Sequence, residues 1–557
     1  MGSIKTFADL FSGEMLAILI TICVLNGLLL FWASLKFLLV FQQSGYRHKR
    51  YFKWLKNPET PYLSRLMLLC LLAFLFFCVL NATFGPIVRN EDVAPFIGFA
   101  SYLLFTFSYI KTEKNVNVKV PLKKTKRLVR LSITYVLLLS ISTYALILLI
   151  NGLALLIGDN SFALLRYALI CGMPILSPYV LFLANAINSP FEALIKRHYL
   201  NVAKTKINKF DVVKIGITGS YGKTSVKEIL KTILSQKFRV LSSPESYNTP
   251  LGIAYTVKDL DSTHDILLAE MGARQQGDIK ELCQLVNPQY GILTGLNTQH
   301  LESFGSIENI KQTKNELFEY IGKDGVAFFS TENDSLKELY NKFEGEKYNV
   351  SLEDPNCSVT ATDITCDSRG TTFTLKIDGE EPVVCSTVLL GKHSVKNICL
   401  ASAVAKRLGL TVSEIALGIN RISSIGHRLE LLPNNKNIVT IDDSYNCNED
   451  GILAAMEVLD TFNGRKIVVT PGLVELGKRE NVANFEFGKL LSRHADIVII
   501  VGKHNAEMLI NGLLEGGMDK SNIMFEKNLT RGNQTLNTIL KEGDVVLFEN
   551  DLPDNYN

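Results

Sequence analysis

The sequence predicts a multi-domain protein: an α-helical transmembrane domain at the amino terminus, followed by two α/β units, the first built around a phosphate loop. Three observations predict it. Long apolar runs crowd the first third of the chain, short β-rich runs alternate with amphipathic stretches beyond Asp211, and a Gly-Lys-Thr stands where a strand turns into a helix. With 557 residues the chain is long enough for several compact units. The 58 basic and 55 acidic residues nearly balance at a net charge of +3, which gives no footprint for nucleic acid, and no nucleic-acid partner is expected. The 10 cysteines are scattered without a Cys-x-x-Cys pair, which excludes a zinc ribbon and a disulfide framework and fits a reducing compartment.

Taken from the start, the apolar runs are Leu16 to Phe41, Leu66 to Val88, Ala94 to Ile110, Leu131 to Gly158 and Phe162 to Ile187. A span needs about 20 residues, so these supply about five spans, the third being the shortest. The first run is too long for a signal-peptide core and lacks a basic start, so it reads as a retained helix. Orientation follows from two basic loops, one with Arg47, Lys49, Arg50, Lys53 and Lys56, the other with Lys111, Lys114, Lys119, Lys123, Lys124, Lys126 and Arg127. The expectation is a multi-pass cell-membrane protein whose two basic loops and later domains lie in the cytoplasm. Topology explains those cations simply, and binding of anionic lipid headgroups is the sharper alternative. Arg166, near the outer end of the last span, is expected to snorkel. From Ser189 to Phe210 the pattern turns polar and helical, with Pro190 placed to start a connecting helix.

The resulting division is a membrane domain over 1–188, a connecting helix over 189–210, a central nucleotide-binding domain over 211–425 and a last domain over 426–557. In the central domain Val212 to Ile217, Asp265 to Glu270, Tyr290 to Thr294 and Gly325 to Ser330 read as strands of a parallel sheet. Alternation near 347–390, with the turn Asp378-Gly379, predicts an antiparallel insert. Helices follow at Ser394 to Leu408 and Thr411 to Ile419. The last domain begins near Arg428, with strands at Ile438 to Ile441, Lys466 to Thr470, Ile497 to Val501 and Val545 to Phe548.

The segment Val213 to Ser225 is a strand, a glycine turn and a helix start. Gly219, Ser220 and Gly222 let backbone N–H groups face phosphate oxygens, Lys223 reaches the terminal phosphates, Thr224 ligates Mg²⁺ and Ser225 opens the helix. Ile217 stands where a strict Walker loop has its first glycine. A chance glycine turn is the bland alternative, made improbable by Gly-Lys-Thr at such a junction.

Gly219-Ser220-Tyr221-Gly222-Lys223-Thr224 resembles the nucleotide loop of the Mur ligases, the amide-forming enzymes of peptidoglycan precursor synthesis, to which folylpolyglutamate synthases are related. Further segments share the resemblance in order. It implies that Glu270, ending a strand, holds the Mg²⁺ that bridges the phosphates, that His300 in Asn297-Thr298-Gln299-His300 ligates a second Mg²⁺, and that Lys314 carries a carbamate. On residue type alone, Lys314 is one charge on a solvated helix beside Lys311 and Glu316. Gly391-Lys392-His393-Ser394-Val395-Lys396-Asn397 resembles the family's adenine-side helix start and keeps Asn397, while Ser394 replaces an asparagine. Arg428, in a junction lengthened by His427, corresponds to an arginine that reaches ATP phosphates. Asp442-Asp443-Ser444-Tyr445-Asn446-Cys447-Asn448 matches the D-alanyl-D-alanine-adding branch almost residue for residue; there Asp443 takes the ribose, and Tyr445 and Asn446 flank the nucleoside.

The resemblance runs from about Asp211 to the end and implies a Mur ligase central domain and a Rossmann-like last domain. Its expectations are ATP, two Mg²⁺ sites and a carbamate on Lys314 as cofactors, with Lys223, Lys314, His300 and Glu270 as catalytic residues. The partners are an acid substrate, small or lipid-linked, an amino-acid or dipeptide amine, the membrane, and cell-wall synthesis proteins. Two departures fall on substrate recognition: membrane helices replace the branch's UDP-sugar domain, and Phe548-Glu549-Asn550-Asp551 replaces its basic terminal turn. A polyglutamate-type ligase and a non-catalytic nucleotide-binding membrane component are the alternatives.

Overall fold

The computed structural model describes residues 13–56, 62–88, 93–114, 121–157, 159–244, 247–297, 304–433, 437–445, 448–474, 476 and 479–551. The chain divides into two compact units, Met1–Ile195 and Lys196–Asn557.

The first unit is helical: α1 (Gly13–Ala33), α2 (Leu35–Gln43), α3 (His48–Leu55), α4 (Tyr62–Val88), α5 (Val93–Lys114), α6 (Lys126–Ile157), α7 (Asp159–Gly172) and the start of α8 (Ser177–Lys209). Its core is aromatic, with Phe37, Phe41, Tyr51, Phe77, Tyr109 and Tyr135 buried. Large apolar side chains such as Ile18, Leu25, Leu68, Leu75, Phe107 and Ile133 are exposed, the reverse of a water-soluble bundle. One group of interior polar side chains is linked together: the Tyr102 hydroxyl donates to Asn26 Oδ1 at 2.6 Å, and Asn26 Nδ2 donates to Thr143 at 3.0 Å.

Among the described residues, four helical stretches are long and apolar enough to cross a membrane: Leu16–Ala33, Tyr62–Phe84, Lys126–Leu153 and Leu165–Lys209. The segment Ala94 to Ile110 forms α5 but is not among these four. Periodicity also overran two breaks. The first run divides at the buried Ser34, whose hydroxyl bonds back to Leu30 O at 2.6 Å, and the last divides at a 3₁₀ turn, Met173–Leu176, containing Pro174. Pro190 starts no helix but lies inside α8, which runs unbroken from Ser177 to Lys209. A proline removes only one backbone donor, and α8 is anchored on both sides of it: Arg130 grips Glu192 through two bonds of 2.6 and 2.8 Å, and Thr134 donates to Asn188 at 3.0 Å.

In the second unit a nine-stranded sheet has the order β2-β3-β1-β4-β5-β6-β7-β8-β9. Its strands are β1 (Val213–Thr218), β2 (Val240–Ser242), β3 (Ile266–Glu270), β4 (Tyr290–Leu293), β5 (Val326–Ser330), β6 (Glu346–Val350), β7 (Val359–Asp367), β8 (Gly370–Ile377) and β9 (Val383–Thr387). Strands β1 to β6 pair in parallel, and β7, β8 and β9 pair antiparallel. The antiparallel segment is therefore no separate insert: β6, inside its expected range, is parallel to β5, and the hairpins extend the same sheet. Side chains alternate between two cores, with Ile215, Ile217, Ile266 and Leu268 on one face and Leu267, Ala269 and Leu293 on the other.

A six-stranded sheet, order β10-β11-β15-β12-β13-β14, makes the last domain: β10 (Glu430–Leu432), β11 (Val439–Asp443), β12 (Lys466–Thr470), β13 (Ile497–Val501), β14 (Ile523–Glu526) and β15 (Val545–Glu549). Among the described strands of this sheet, only β10 is antiparallel to its neighbour.

Candidate active site

The chain leaves β1 for the sheet edge at β2 and β3 and then crosses to β4 on the other side of β1. That reversal opens a crevice at the carboxyl ends of β1, β3 and β4, where open parallel sheets bind ligands. The loop after β1 fills it. Gly219 and Gly222 have φ of 154° and 76°, a conformation costly for other residues, and Gly222 precedes the helix α9 (Lys223–Leu234). A Cβ at Gly219 would lie 2.1 Å from Thr294 Oγ1, so the loop also needs glycine for close approach to the end of β4. Ser220 N donates to Gly295 O at 2.8 Å, and Tyr221 packs over Gly295.

Lys223 curls back on this loop, its ammonium donating to Gly219 O at 2.8 Å and Ser220 O at 3.1 Å. Burial lowers its pKa to about 8, with Glu270 opposing the fall and Arg428 adding to it. Thr224 Oγ1 donates to Glu270 Oε2 at 2.9 Å, which brings together a hydroxyl and a buried carboxylate at the ends of α9 and β3. Hard oxygen donors of this kind fit Mg²⁺, which takes one or two protein oxygens and completes its shell with phosphate and water. Ser225 sits half-buried in the first turn of α9.

Lys314 lies on the helix Ile307–Ile321, capped by Ser306, and is 3 % exposed, so it is no member of a solvated face. Burial lowers its pKa to about 7, and the charge of Lys223 lowers it further against Asp278 and Glu316. Near neutral pH this amine is therefore substantially uncharged. His300 falls outside the described residues, as does Asn446.

Asn397 is buried against the loop, its Oδ1 3.2 Å from where a Cβ of Gly222 would be. His393 is held uncharged, its pKa pushed down to about 4 by burial and by Lys396 and Arg428. In the last domain Arg428 stacks on Tyr445, 4.4 Å from the ring centre, and donates to Tyr445 O at 2.9 Å. His427 and Leu429, on either side of it, have φ of 59° and 46°, and this strained turn presents the guanidinium. Asp443 ends β11 and accepts from Leu429 N at 3.2 Å; burial raises its pKa to about 6 while Arg428 pulls it down. The two domains touch where Asn297 Nδ2 donates to Asp450 at 3.1 Å.

Lys223, Thr224, Glu270 and Lys314 thus gather around the loop, with Asn397 behind it, and Arg428, Asp443 and Tyr445 form a second group. Sequence reasoning missed two residues on Glu270: Asn248, whose Nδ2 donates to Oε1 at 3.1 Å, and Lys227, whose Nζ is 3.6 Å from Oε2. The available signal was the helical spacing of Lys227, three residues beyond Thr224. No comparable pattern marked Asn248.

Residues 217–405 match the Mur ligase middle domain, and residues 427–549 match the Mur ligase, glutamate ligase domain. The chain is 30% identical over 335 residues to the UDP-N-acetylmuramoyl-tripeptide–D-alanyl-D-alanine ligase of Escherichia coli (strain K12), covering 59% of this chain and 73% of that protein. It is 28% identical to the ligase of the same name from Bacillus subtilis (strain 168), over 62% of this chain and 75% of that one. The crystal structure of MurF ligase from Thermotoga maritima in complex with ADP superposes with a TM-score of 0.58 at 25% identity, over 64% of this chain and 80% of that one. The chain belongs to the Mur ligase family and is an ATP-dependent amide ligase that releases ADP and phosphate.

Proposed function

We propose that this ligase is anchored in the membrane and adds an amino acid or dipeptide to a lipid-linked cell-wall precursor, through an acyl-phosphate made at the β1 loop. The Thr224–Glu270 pair beside Lys223 carries the catalytic reading. Gly219, Ser220, Gly222 and Ser225 line the phosphates, and Lys223 turns from its own loop carbonyls to the transferring phosphoryl group. Thr224 and Glu270 would hold one Mg²⁺, and His300 with a carbamate on Lys314 would serve a second. Bound Mg²⁺ supplies charge neutralisation at the phosphates.

The chemistry of Lys314 fits a carbamate, because only an uncharged amine adds to the carbon of CO₂, losing a proton as the N–C bond forms, and burial lowers the proton affinity of this amine so that more of it is uncharged near neutral pH. Asn397, Asp443, Tyr445 and Asn446 orient the nucleoside, and Arg428 meets the phosphates as the last domain closes and excludes water. The acyl-phosphate is then attacked by the neutral amine of the second substrate, with phosphate leaving.

Membrane anchoring is supported by the exposed apolar faces of α1, α4, α5 and α6 and by the four stretches of span length. Anchorage in a bilayer favours an acid substrate that is itself in the bilayer. Since similar ligases are named for a UDP-muramoyl-tripeptide and D-alanyl-D-alanine, a muramoyl peptide and D-alanyl-D-alanine are the first pair to offer. Purified full-length protein is given acid and amine pairs with ATP, and phosphate release is measured for each. Release that requires both partners of a cell-wall pair is expected. Release with a glutamate-type acceptor alone, or with none, overturns the proposal.

A further inference from the structure

Lys227 is buried completely, yet nothing in the phosphate-loop chemistry calls for a second lysine. It stands on α9 one turn after Thr224 and donates to Ser243 O at 2.7 Å. Two carboxylates flank its ammonium, Glu228 Oε1 at 3.2 Å and Glu270 Oε2 at 3.6 Å. Glu270 is itself 1 % exposed, and both of its oxygens are engaged: Oε2 by Thr224 and Lys227, Oε1 by Asn248. The carboxylate that would hold the cation is therefore already hydrogen-bonded within the protein and shares the Lys227 charge with Glu228.

We propose that Lys227 is a positioning residue that withholds divalent cation from Glu270 until nucleotide arrives, so that metal and nucleotide bind as one unit. This rests on the reading of Glu270 as a cation ligand. A bare divalent ion approaching Glu270 meets the Lys227 ammonium as well as the carboxylate, and in a buried setting that repulsion is poorly screened. It must also displace the bonds from Thr224 and Asn248. When nucleotide enters, its phosphate oxygens add negative charge that outweighs the Lys227 ammonium, and the site then favours a divalent cation, for which Glu270 and Thr224 would be the protein's oxygen donors. Energetically this is a positive coupling between two ligands, each raising the affinity of the site for the other. The coupling protects the loop from occupation by metal alone, a state in which phosphate would have to find the cation already fully ligated.

The bland alternative is a tie between α9 and the segment after β2, made through the Ser243 carbonyl. Such a tie affects stability but does not weaken cation binding. The two roles separate in Lys227→Gln, which keeps a donor for Ser243 and removes the charge.

Mn²⁺ binding to the full-length protein in detergent, followed by its paramagnetic resonance at fixed free Mn²⁺ with and without ADP, tests the proposal. In the wild-type protein ADP is expected to tighten Mn²⁺ binding at least about tenfold. In Lys227→Gln the ADP-free affinity is expected to rise at least about tenfold, closing most of that gap, because a like charge close to the cation has gone. An unchanged or weaker ADP-free affinity in Lys227→Gln, with ADP still raising its Tm, overturns the proposal. Should that variant not fold, the wild-type measurement decides alone: Mn²⁺ bound as tightly without ADP as with it overturns the idea. Glu270→Gln is the control for the underlying reading. If Mn²⁺ with ADP binds that variant as tightly as wild type, the ligand assignment itself is wrong.

Discussion

Lys223 and Lys314 are two amines whose proton affinity burial lowers, one to about 8 and the other to about 7, within reach of each other's charge. Lys223→Ala is expected to cut ATP-dependent phosphate release at least about a hundredfold while the protein remains folded in detergent, because it deletes a preorganised charge at the phosphates. Lys314→Ala is expected to be nearly inactive and partly restored by short-chain carboxylates that replace the carbamate anion; full activity in the variant contradicts the assignment. The pKa of Lys314 also sets a pH dependence. Between about 7 and its ordinary 10.5 the unfolded chain binds a proton that the folded chain lacks, so folding stability from this group rises with pH through that window and its burial penalty is complete below it. The uncharged fraction grows about tenfold from about pH 6 to about pH 8, so a ¹³C-carbamate signal at constant dissolved ¹³CO₂ should grow with it. No growth across that range contradicts the lowered pKa. Most of these residues were legible because a loop such as Gly219 to Thr224 demands particular side chains at particular places. Asn248 was not, because its place beside Glu270 is made across the fold, and Lys227 was marked only by its helical spacing from Thr224, which does not by itself point to Glu270.

The elements show the same division. Strands β1, β3, β4, β5, β12 and β13 were legible as apolar runs, since each is buried on both faces. The strands β2, β10 and β14 have three, three and four residues, too few to establish an alternation, and pairing alone makes them strands. The breaks at Ser34 and Pro174 were hidden because hydropathy continues through them while the backbone does not. Where the local signal is chemical, its energetic weight can be tested. Thr411 accepts from Glu414 N at 3.2 Å and Glu414 accepts from Thr411 N at 2.7 Å, a reciprocal cap on the helix Val412–Asn420. Thr411→Ala is expected to lower stability by about 1 kcal/mol in denaturant titration and leave the KM for ATP unchanged. A loss near zero means that packing of Ile415 and Ile419 holds that helix without its cap.

At the scale of the whole molecule, an α/β ligase unit follows a helical unit that exposes large apolar side chains, and α8 spans the boundary in the chain between them. The apolar helices of the first unit were legible from length and hydropathy alone, whereas the identity of the acceptor was not, because the chain departs from the family's pattern at both ends. The proposed membrane anchoring would need only a single helix for tethering, and the bundle's own aromatic core and internal polar bonds are what the proposal of a lipid-linked substrate builds on. The deciding measurement is turnover by the full-length protein in lipid nanodiscs on the same muramoyl peptide presented in two forms, lipid-linked and UDP-linked, with ATP and the same amine. A higher kcat/KM for the lipid-linked form, by at least about tenfold, is the expected result. Equal turnover, or a preference for the UDP-linked form, contradicts it.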